Sequence, residues 1–352
     1  MEKLNRVGVD IAKTVFHVHG VDATERPVWR TKFRRNEWIE AVCERLKPGG
    51  EVGMEACASA HHWARILQSR GFVVRLIGAQ FVKPYVKSNK NDAVDAEAIC
   101  EAMSRPGMRF VAVKSVAQQD IQAAHRIREE LVSQRTAKAN QIRGLVGEYG
   151  IVAPKGIQQL RSALPIWLED AENGQSFEFR LLLSDLHGDL QHLDERVAKL
   201  DVHITVQAKA DPVANKLLEL RGVGPLTASA LAGALGDGRA YTKGRDFAAS
   251  LGLTPHQHST GGKARLLGIS KRGDGYLRKL LVHGARAVIR HASNKEDGLS
   301  QWVNRLVGRK HVNVACVALA NKTARVAWAV VHGNQAYDPK RTHERIPCGG
   351  TA

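Results

Sequence analysis

No run of about 18 apolar residues occurs in this 352-residue chain. The opening MEKLNRVGVD has no apolar segment of the kind a secretory leader needs. A soluble, cytoplasmic protein with no membrane partner is the expectation. Cysteine is sparse and unpaired in pattern. Cys43, Cys57, Cys100, Cys316 and Cys348 are odd in number and scattered, and none forms a CxxC pair. That excludes a disulfide framework and a cysteine zinc site. Acidic residues are also in deficit, with 35 Asp and Glu against 52 Lys and Arg, a net charge of +17. From Lys263 to the end there are 17 Lys and Arg against 5 Asp and Glu, which accounts for +12 of it. Such asymmetry points to a polyanionic partner, with nucleic acid first. No basic amphipathic anchor stands alone, so a membrane surface fits less well.

What is present is enough for two or three domains: 43% of the residues are hydrophobic, which also excludes disorder. Residues 6–11 (RVGVDI) read as a strand, 15–21 (VFHVHGV) as its hairpin partner and 29–33 as a third strand. Helical periodicity over 37–46 stops at Pro48-Gly49-Gly50. Strands at 51–55 and 72–77 alternate with helices at 58–70 and 91–103. A hairpin followed by strand–helix alternation predicts a mixed α/β sheet.

Four carboxylates stand out in that region. Asp10 ends the first strand, Glu55 ends a later one, and Asp92 and Asp95 share a face at the start of a helix. Acids at the ends of adjacent strands converge and repel one another unless a hard cation sits among them. Two Mg²⁺ ions so held can grip the attacking and leaving oxygens of a phosphodiester. Taken singly, Asp92 is equally an N-cap, Asp95 a first-turn acid favoured by the helix dipole, and Glu55 a surface charge. The ordered set of four is the specific signal.

The middle of the chain is helical. Residues 115–148 lack Pro and Gly before Gly144, and the segment 150–156 breaks the run. Phe179, Leu183, Leu186, Leu190, Leu193, Val197, Leu200 and Ile204 then alternate spacings of four and three, a coiled-coil seam. Packing back on the first helix and packing between subunits both satisfy that seam. Asp211-Pro212 marks the exit.

The C-terminal region reads as mainly α and basic. Residues 217–235 have the form helix, Gly222-Val223-Gly224, helix, which resembles a helix-hairpin-helix whose amides meet a DNA phosphate; an ordinary tight turn reads the same way. Residues 252–281 carry the chemistry. Ser259-Thr260-Gly261-Gly262 is read as a permissive loop, followed by Lys263, Arg265, Lys271, Arg272, Arg278 and Lys279. A hydroxyl ringed by cations suits attack on phosphate, and a solvated basic Ser/Gly loop is the plain alternative. Helices are read over 276–290 and 312–331, then a loose tail.

GVDIAKTVFHV, GMEACASAHHWA and KSNKNDAVDAEAI together resemble the RuvC-like, RNase H-type domain of IS110-family transposases. That family's Asp, Glu, Asp, Asp set falls on Asp10, Glu55, Asp92 and Asp95, with Lys87 or Lys90 as its preceding lysine. Gly252-Leu-Thr-Pro255, Ser259-Thr-Gly-Gly262, Ile269-Ser-Lys-Arg-Gly-Asp274 and Leu277-Arg278 resemble its C-terminal half, in the IS1111 branch. Thr260 stands where many members have a second serine.

The resemblance implies four segments: a RuvC-like domain over 1–112, a helical coiled-coil spacer over 113–211, a transposase domain over 212–335 and a basic tail over 336–352. It implies Ser259 as the nucleophile forming a phosphoserine link to DNA, with the four acids binding Mg²⁺. Gly222, Gly224, Lys263, Arg265, Lys271, Arg272 and Arg278 are the nucleic-acid-binding candidates. It implies donor and target DNA, a structured guide RNA, and a homodimer or homotetramer in a bacterial, nucleoid-associated setting. Base pairing would then read sequence while the protein grips backbones. Two other readings compete: a RuvC-like Mg²⁺-dependent nuclease or junction resolvase without a covalent intermediate, and a non-catalytic scaffold, which would lack one or more of the four acids.

Overall fold

Apolar residues on alternate positions make β1 (Leu4–Ile11) bury Val7 and Val9 on one face and turn Gly8 and Asp10 to the other. β2 (Val15–Val21) and β3 (Pro27–Arg34) continue an antiparallel meander. α1 (Trp38–Arg45), β4 (Leu46–Glu55), α2 (Ala60–Ser69), β5 (Val73–Ile77), the single turn α3 (Ala79–Val82), α4 (Asp92–Met103) and β6 (Phe110–Val111) follow. The sheet order is β3-β2-β1-β4-β5-β6. β4 runs parallel to both β1 and β5, and the other pairs are antiparallel. This is the mixed α/β arrangement anticipated, and it is compatible with a RuvC-like domain. The computed structural model describes residues 3–86, 91–334 and 336–339. Lys87, Lys90 and all but the first few residues of the 336–352 tail lie outside the described residues.

α1 and α2 cover one face of the sheet, where Trp38, Val42, Ala64 and Leu67 pack on Val7, Val9, Phe16 and Met54. α4 covers the other face, and a pair of glycines sets how closely it sits. Gly8 and Gly53 are partners across β1 and β4. A Cβ on Gly8 would lie 2.3 Å from the Ala96 carbonyl oxygen and 2.6 Å from the Cys100 amide nitrogen. One on Gly53 would lie 1.9 Å from the Met103 sulfur. The helix therefore rests its backbone on bare sheet.

One boundary differs from the sequence reading. Pro48-Gly49-Gly50 does not simply end a helix; it lies inside β4, which begins at Leu46. The strand tolerates it because Gly49 takes a positive φ and the register against β1 shifts between Leu4 and Arg6.

The chain divides into two units, Met1–Val116 and Ala117–Ala352. The second begins with α5 (Val116–Gly147), α6 (Ile157–Glu169) and α7 (Phe177–Ala210). Leu183, Leu190, Val197 and Ile204, one per heptad, are buried on α7. Leu183 and Leu190 meet Ala139, Ile142 and Val146 of α5 and Leu160 and Leu164 of α6. The alternative row, Leu186, Leu193 and Leu200, is half-buried. Ion pairs Arg128–Asp201, Arg135–Asp194 at 3.2 Å and Lys138–Asp189 at 3.0 Å run up α5 and down α7, so the two helices are antiparallel. The seam forms the packing within the chain, one of the two the sequence left open. α6, which carries Pro165 inside it, was not separated by the sequence reading.

The remainder comprises α8 (Pro212–Leu217), α9 (Pro225–Leu235), α10 (Gly244–Ser250), the two-stranded ribbon β7 (Pro255–Thr260) and β8 (Lys263–Ile269), α11 (Gly275–Arg290), α12 (Gly298–Val307) and α13 (Val312–His332). Among the described residues α13 is the one helix long and apolar enough to cross a membrane. Its Cys316, Leu319, Ala320, Ala324 and Ala327 are buried in the core shared by α8 to α12, which makes it a core helix.

Two substitutions test this packing by chemical denaturation. Gly8→Ala is expected to cost about 1–3 kcal/mol by overpacking against the α4 backbone. Gly107→Ala, with nothing within 4 Å of its would-be Cβ, is expected to change stability by less than about 0.5 kcal/mol. Leu190→Asp places an unpaired charge at a fully buried position of the α7 seam and is expected to cost several kcal/mol.

Candidate active site

The close seat of α4 brings the acids together. One residue beyond the registered pair Val9 and Met54 come Asp10 and Glu55, at the carboxyl ends of parallel neighbours β1 and β4. Asn91 caps α4, its side chain accepting from the Ala93 amide at 3.0 Å. The cap is thus Asn91 and not Asp92, which leaves Asp92 and Asp95 free in the first turn, where the helix dipole favours anions. One carboxylate oxygen from each of Asp10, Asp92 and Asp95 lies within 4.8 Å of the others. Glu55 lies outside that trio, yet its charge reaches Asp10 and Asp95.

The electrostatics follow from that crowding. Partial burial, then repulsion from Asp95, Asp92 and Glu55, pushes the Asp10 carboxyl up to about 6. Burial and Asp95 likewise raise Glu55. The set is all oxygen, negatively charged and mutually repulsive, the donor chemistry that a hard divalent cation such as Mg²⁺ requires. The residues present therefore fit the metal the sequence implies. His17 was missed by the sequence reading. It pairs with Asp10 across β1 and β2, and its Nε2 is 3.8 Å from Asp92 Oδ2. The signal was the register of that hairpin, which motif spacing does not reveal.

Ser259 sits on β7, the second residue before the turn, and not on the permissive loop that was expected. Gly261 and Gly262 both take positive φ, +56° and +75°, the mark of a type I′ hairpin turn, which is why glycines occupy it. Gln257 Nε2 donates to Ser259 Oγ at 2.7 Å, and Ser259 is exposed. Ser259 pairs with Ala264 and Gln257 with Leu266, while His258 pairs with Arg265 and Thr260 with Lys263. Strand alternation therefore puts His258, Lys263 and Arg265 on the ribbon face opposite the Ser259 hydroxyl. Sequence proximity suggested them as its helpers, and the pleat separates them. His256 sits at an irregularity in the ribbon.

The other nucleic-acid candidates divide. Lys263, Arg265, Lys271, Arg272 and Gly224 are exposed. Arg278 instead donates Nη1 to the Leu251 carbonyl at 2.7 Å, tying the start of α11 to the end of α10. Gly222 is a packing position: its would-be Cβ meets Val288 Cγ2 at 2.8 Å and the Gly284 carbonyl at 2.9 Å on α11. A second polar chain lies nearby. His125 Nδ1 is 2.9 Å from Tyr276 Oη and its Nε2 is 3.0 Å from Ser229 Oγ. It has the form of a base beside a nucleophile, but Ser229 is 3% exposed, so no substrate reaches it. Burial, then Arg128, lowers His125 to about 4, and the neutral ring bridges α5, α9 and α11.

Comparison with known proteins finds two matching families and several relatives that span nearly the whole chain. A DEDD-type family named for IS110 and described as Transposase matches residues 7–151, and the family described as Transposase IS116/IS110/IS902 matches residues 214–299. The chain is 49% identical to a probable family 20 transposase of Pseudomonas aeruginosa, over 96% of this chain and 99% of that protein. It is 43% identical to the transposase for insertion sequence element IS1111A of Coxiella burnetii, over 96% and 92%. It is 42% identical to the IS1328 transposase of Yersinia enterocolitica, over 94% and 97%.

The raised Asp10 carboxyl makes a prediction for the metal-free protein. Its folded value of about 6 exceeds the ordinary 3.8, so the charged form opposes folding. That destabilisation is absent below about pH 4, grows as pH rises towards 6, and is complete above it. Asp10→Asn is therefore expected to raise unfolding free energy in EDTA by about 1 kcal/mol at pH 7.5, after discounting for partial exposure, and to leave it unchanged near pH 4. Added Mg²⁺ should raise the melting temperature of the parent and not of the variant.

Proposed function

Because the chain belongs to the IS110 family of insertion-sequence transposases, we propose that it cuts and rejoins DNA through Ser259, assisted by a metal-binding set of Asp10, Glu55, Asp92 and Asp95, and that a structured RNA of its element directs it. The observation that carries this reading is the convergence of Asp10, Asp92 and Asp95 on one spot beneath the α4 terminus. Burial and neighbouring acids raise the protonation of Asp10 and Glu55, and Asp10 forms no ion pair with a Lys or Arg among the described residues that would give the gathering a structural purpose.

Ser259 Oγ attacks the phosphorus of a DNA phosphodiester. An Oγ–P bond forms, the bond from phosphorus to one sugar oxygen breaks, and that oxygen takes up a proton and leaves as a free hydroxyl. Gln257 donates to Oγ, which keeps the hydroxyl hydrogen free to depart and stabilises the oxygen as charge develops. Attack by the free hydroxyl of a second DNA on the phosphoserine reverses the step and exchanges strands. Asp10, Asp92 and Asp95 would hold a divalent cation such as Mg²⁺, with Glu55 adding charge beside them, and when bound it would supply Lewis-acid stabilisation to a phosphoryl group. Exposed Lys263, Arg265, Lys271 and Arg272 offset backbone phosphates. The +17 net charge supports binding of guide RNA together with donor and target DNA by an assembly of two or four copies in the bacterial cytoplasm.

Ser259→Ala removes one exposed oxygen and is expected to leave the melting temperature and nucleic-acid binding unchanged. It should abolish both the covalent protein–DNA adduct and the recombinant product. Peptide mass spectrometry of a stalled parental reaction should find the nucleotide on Ser259; finding it on Thr260, Ser270 or Tyr276, or finding that the alanine variant recombines, overturns the assignment. A plain hydrolase gives no adduct at all. Asp10→Asn should lower recombination at least about a thousandfold while RNA binding survives.

A further inference from the structure

We propose that Arg278 is a positioning residue for Ser259: its guanidinium locks the two chain segments from which the β7–β8 ribbon springs, and so sets where the ribbon carries the hydroxyl. This rests on the reading of Ser259 as the nucleophile.

The ribbon has little else to hold it. Among the described side chains of β7 and β8, all but His256 and Ile269 are exposed. Both faces are therefore open, and a two-stranded hairpin is marginally stable by itself. Its direction is decided where it joins the body. Beyond the last ladder pair, Pro255 with Ile269, the incoming and outgoing segments stay bonded to each other. The Ser270 amide donates to the Thr254 carbonyl at 2.8 Å, that of Lys271 to Gly252 at 3.2 Å and that of Asp274 to Ser250 at 3.4 Å. The fit is close. A Cβ on Gly252, at φ +68°, would lie 2.3 Å from the Arg272 carbonyl oxygen, and one on Gly273, at φ +82°, would lie 1.8 Å from that of Ser250. Lys271 takes a φ of +54°, which a residue other than glycine keeps only where its surroundings dictate it.

Arg278 fastens this root to the body. Its Nη1 donates to the Leu251 carbonyl of the incoming segment at 2.7 Å and, more weakly at 3.5 Å, to the Arg272 carbonyl of the outgoing one. It follows Leu277, which is buried in the core beneath α11. Asp274, on the outgoing segment, caps the same helix by accepting from the Leu277 amide at 3.0 Å. One helix start thus holds both roots of the ribbon.

The lever is long. Ser259 is four residues beyond Pro255, about 13 Å at about 3.3 Å per residue. A tilt of about 10° at the root therefore moves the hydroxyl by about 2 Å. A misplacement of about 1 Å can slow a reaction about a hundredfold. Loss of the clamp slows the attack without removing a phosphate contact.

The test is Arg278→Ala in the full chain, with RNA transcribed from its element and a DNA duplex carrying the element's end, well below the melting temperature. The rate of covalent adduct formation at saturating DNA is expected to fall about a hundredfold, while half-saturation stays within about twofold of the parent. The slope of log affinity against log salt should be unchanged, whereas loss of a phosphate contact lowers it by about one. Hydrogen exchange read by mass spectrometry needs no activity; it should quicken about tenfold across 252–274 and stay as it was in α13. Gly252→Ala, whose Cβ would also lie 2.8 Å from Arg278 Nη1, disturbs the same root without removing a charge. It is expected to give the same pattern, and it serves if Arg278→Ala does not fold. Full-rate adduct formation in a folded variant overturns the proposal. So does a salt slope lowered by about one with the rate restored at saturating DNA, which makes Arg278 a nucleic-acid ligand. No adduct in the parent, or an adduct in Ser259→Ala, defeats the reading of Ser259 instead, and the exchange result still decides whether Arg278 holds the root.

Discussion

The N-terminal unit depends on one steric allowance: a helix backbone lying directly on a sheet. Gly8 and Gly53 are paired on adjacent parallel strands: Gly8 lets the α4 backbone at Ala96 and Cys100 approach β1, and Gly53 makes room on β4 for the Met103 side chain. Two residues further along each strand, on the same face, come Asp10 and Glu55. The helix start is thereby lowered until Asp92 and Asp95 are within reach of Asp10. A methyl group at Gly8 would meet the α4 backbone and lift the helix from the sheet. The chemistry of the site is thus set by residues that carry no functional group.

That closeness has an electrostatic cost. Partial burial and the charges of Asp95, Asp92 and Glu55 oppose ionisation of Asp10, and burial and Asp95 oppose that of Glu55. A divalent cation would reverse the sign of the interaction, because Asp10 would then face a positive charge of two beside its three negative neighbours. The fold is therefore strained where it is to be loaded. The aromatic core on the far side, with Phe16 stacked on Trp38 at 5.2 Å and Trp63 packed edge-on to both, provides rigid packing behind that strain.

Much of this was legible in the sequence, for identifiable reasons. Asp10 and Glu55 stand at the ends of period-two segments, and Asp92 and Asp95 open a period-3.6 one, so local pattern alone placed them. The α7 seam was legible because leucines repeat by sevens; what it packs on was not, because a heptad records that a face is buried and not by whom. His17 was invisible because its relevance depends on hairpin register. The β7–β8 ribbon was read as a loop because it is polar on both faces and gives no alternation to detect; Leu266 is 64% exposed even where it pairs. Once the ribbon is recognised, parity separates Ser259 from the His258, Lys263 and Arg265 that flank it in sequence.

The α5–α7 hairpin has a metric consequence. A helix of 34 residues extends about 50 Å, and α5 is nearly as long. Antiparallel ion pairs between residues 128–138 of α5 and 189–201 of α7 hold the register of the hairpin's middle section. Duplex DNA advances about 34–36 Å per helical turn of roughly ten base pairs. The long helix therefore measures about one and a half such turns.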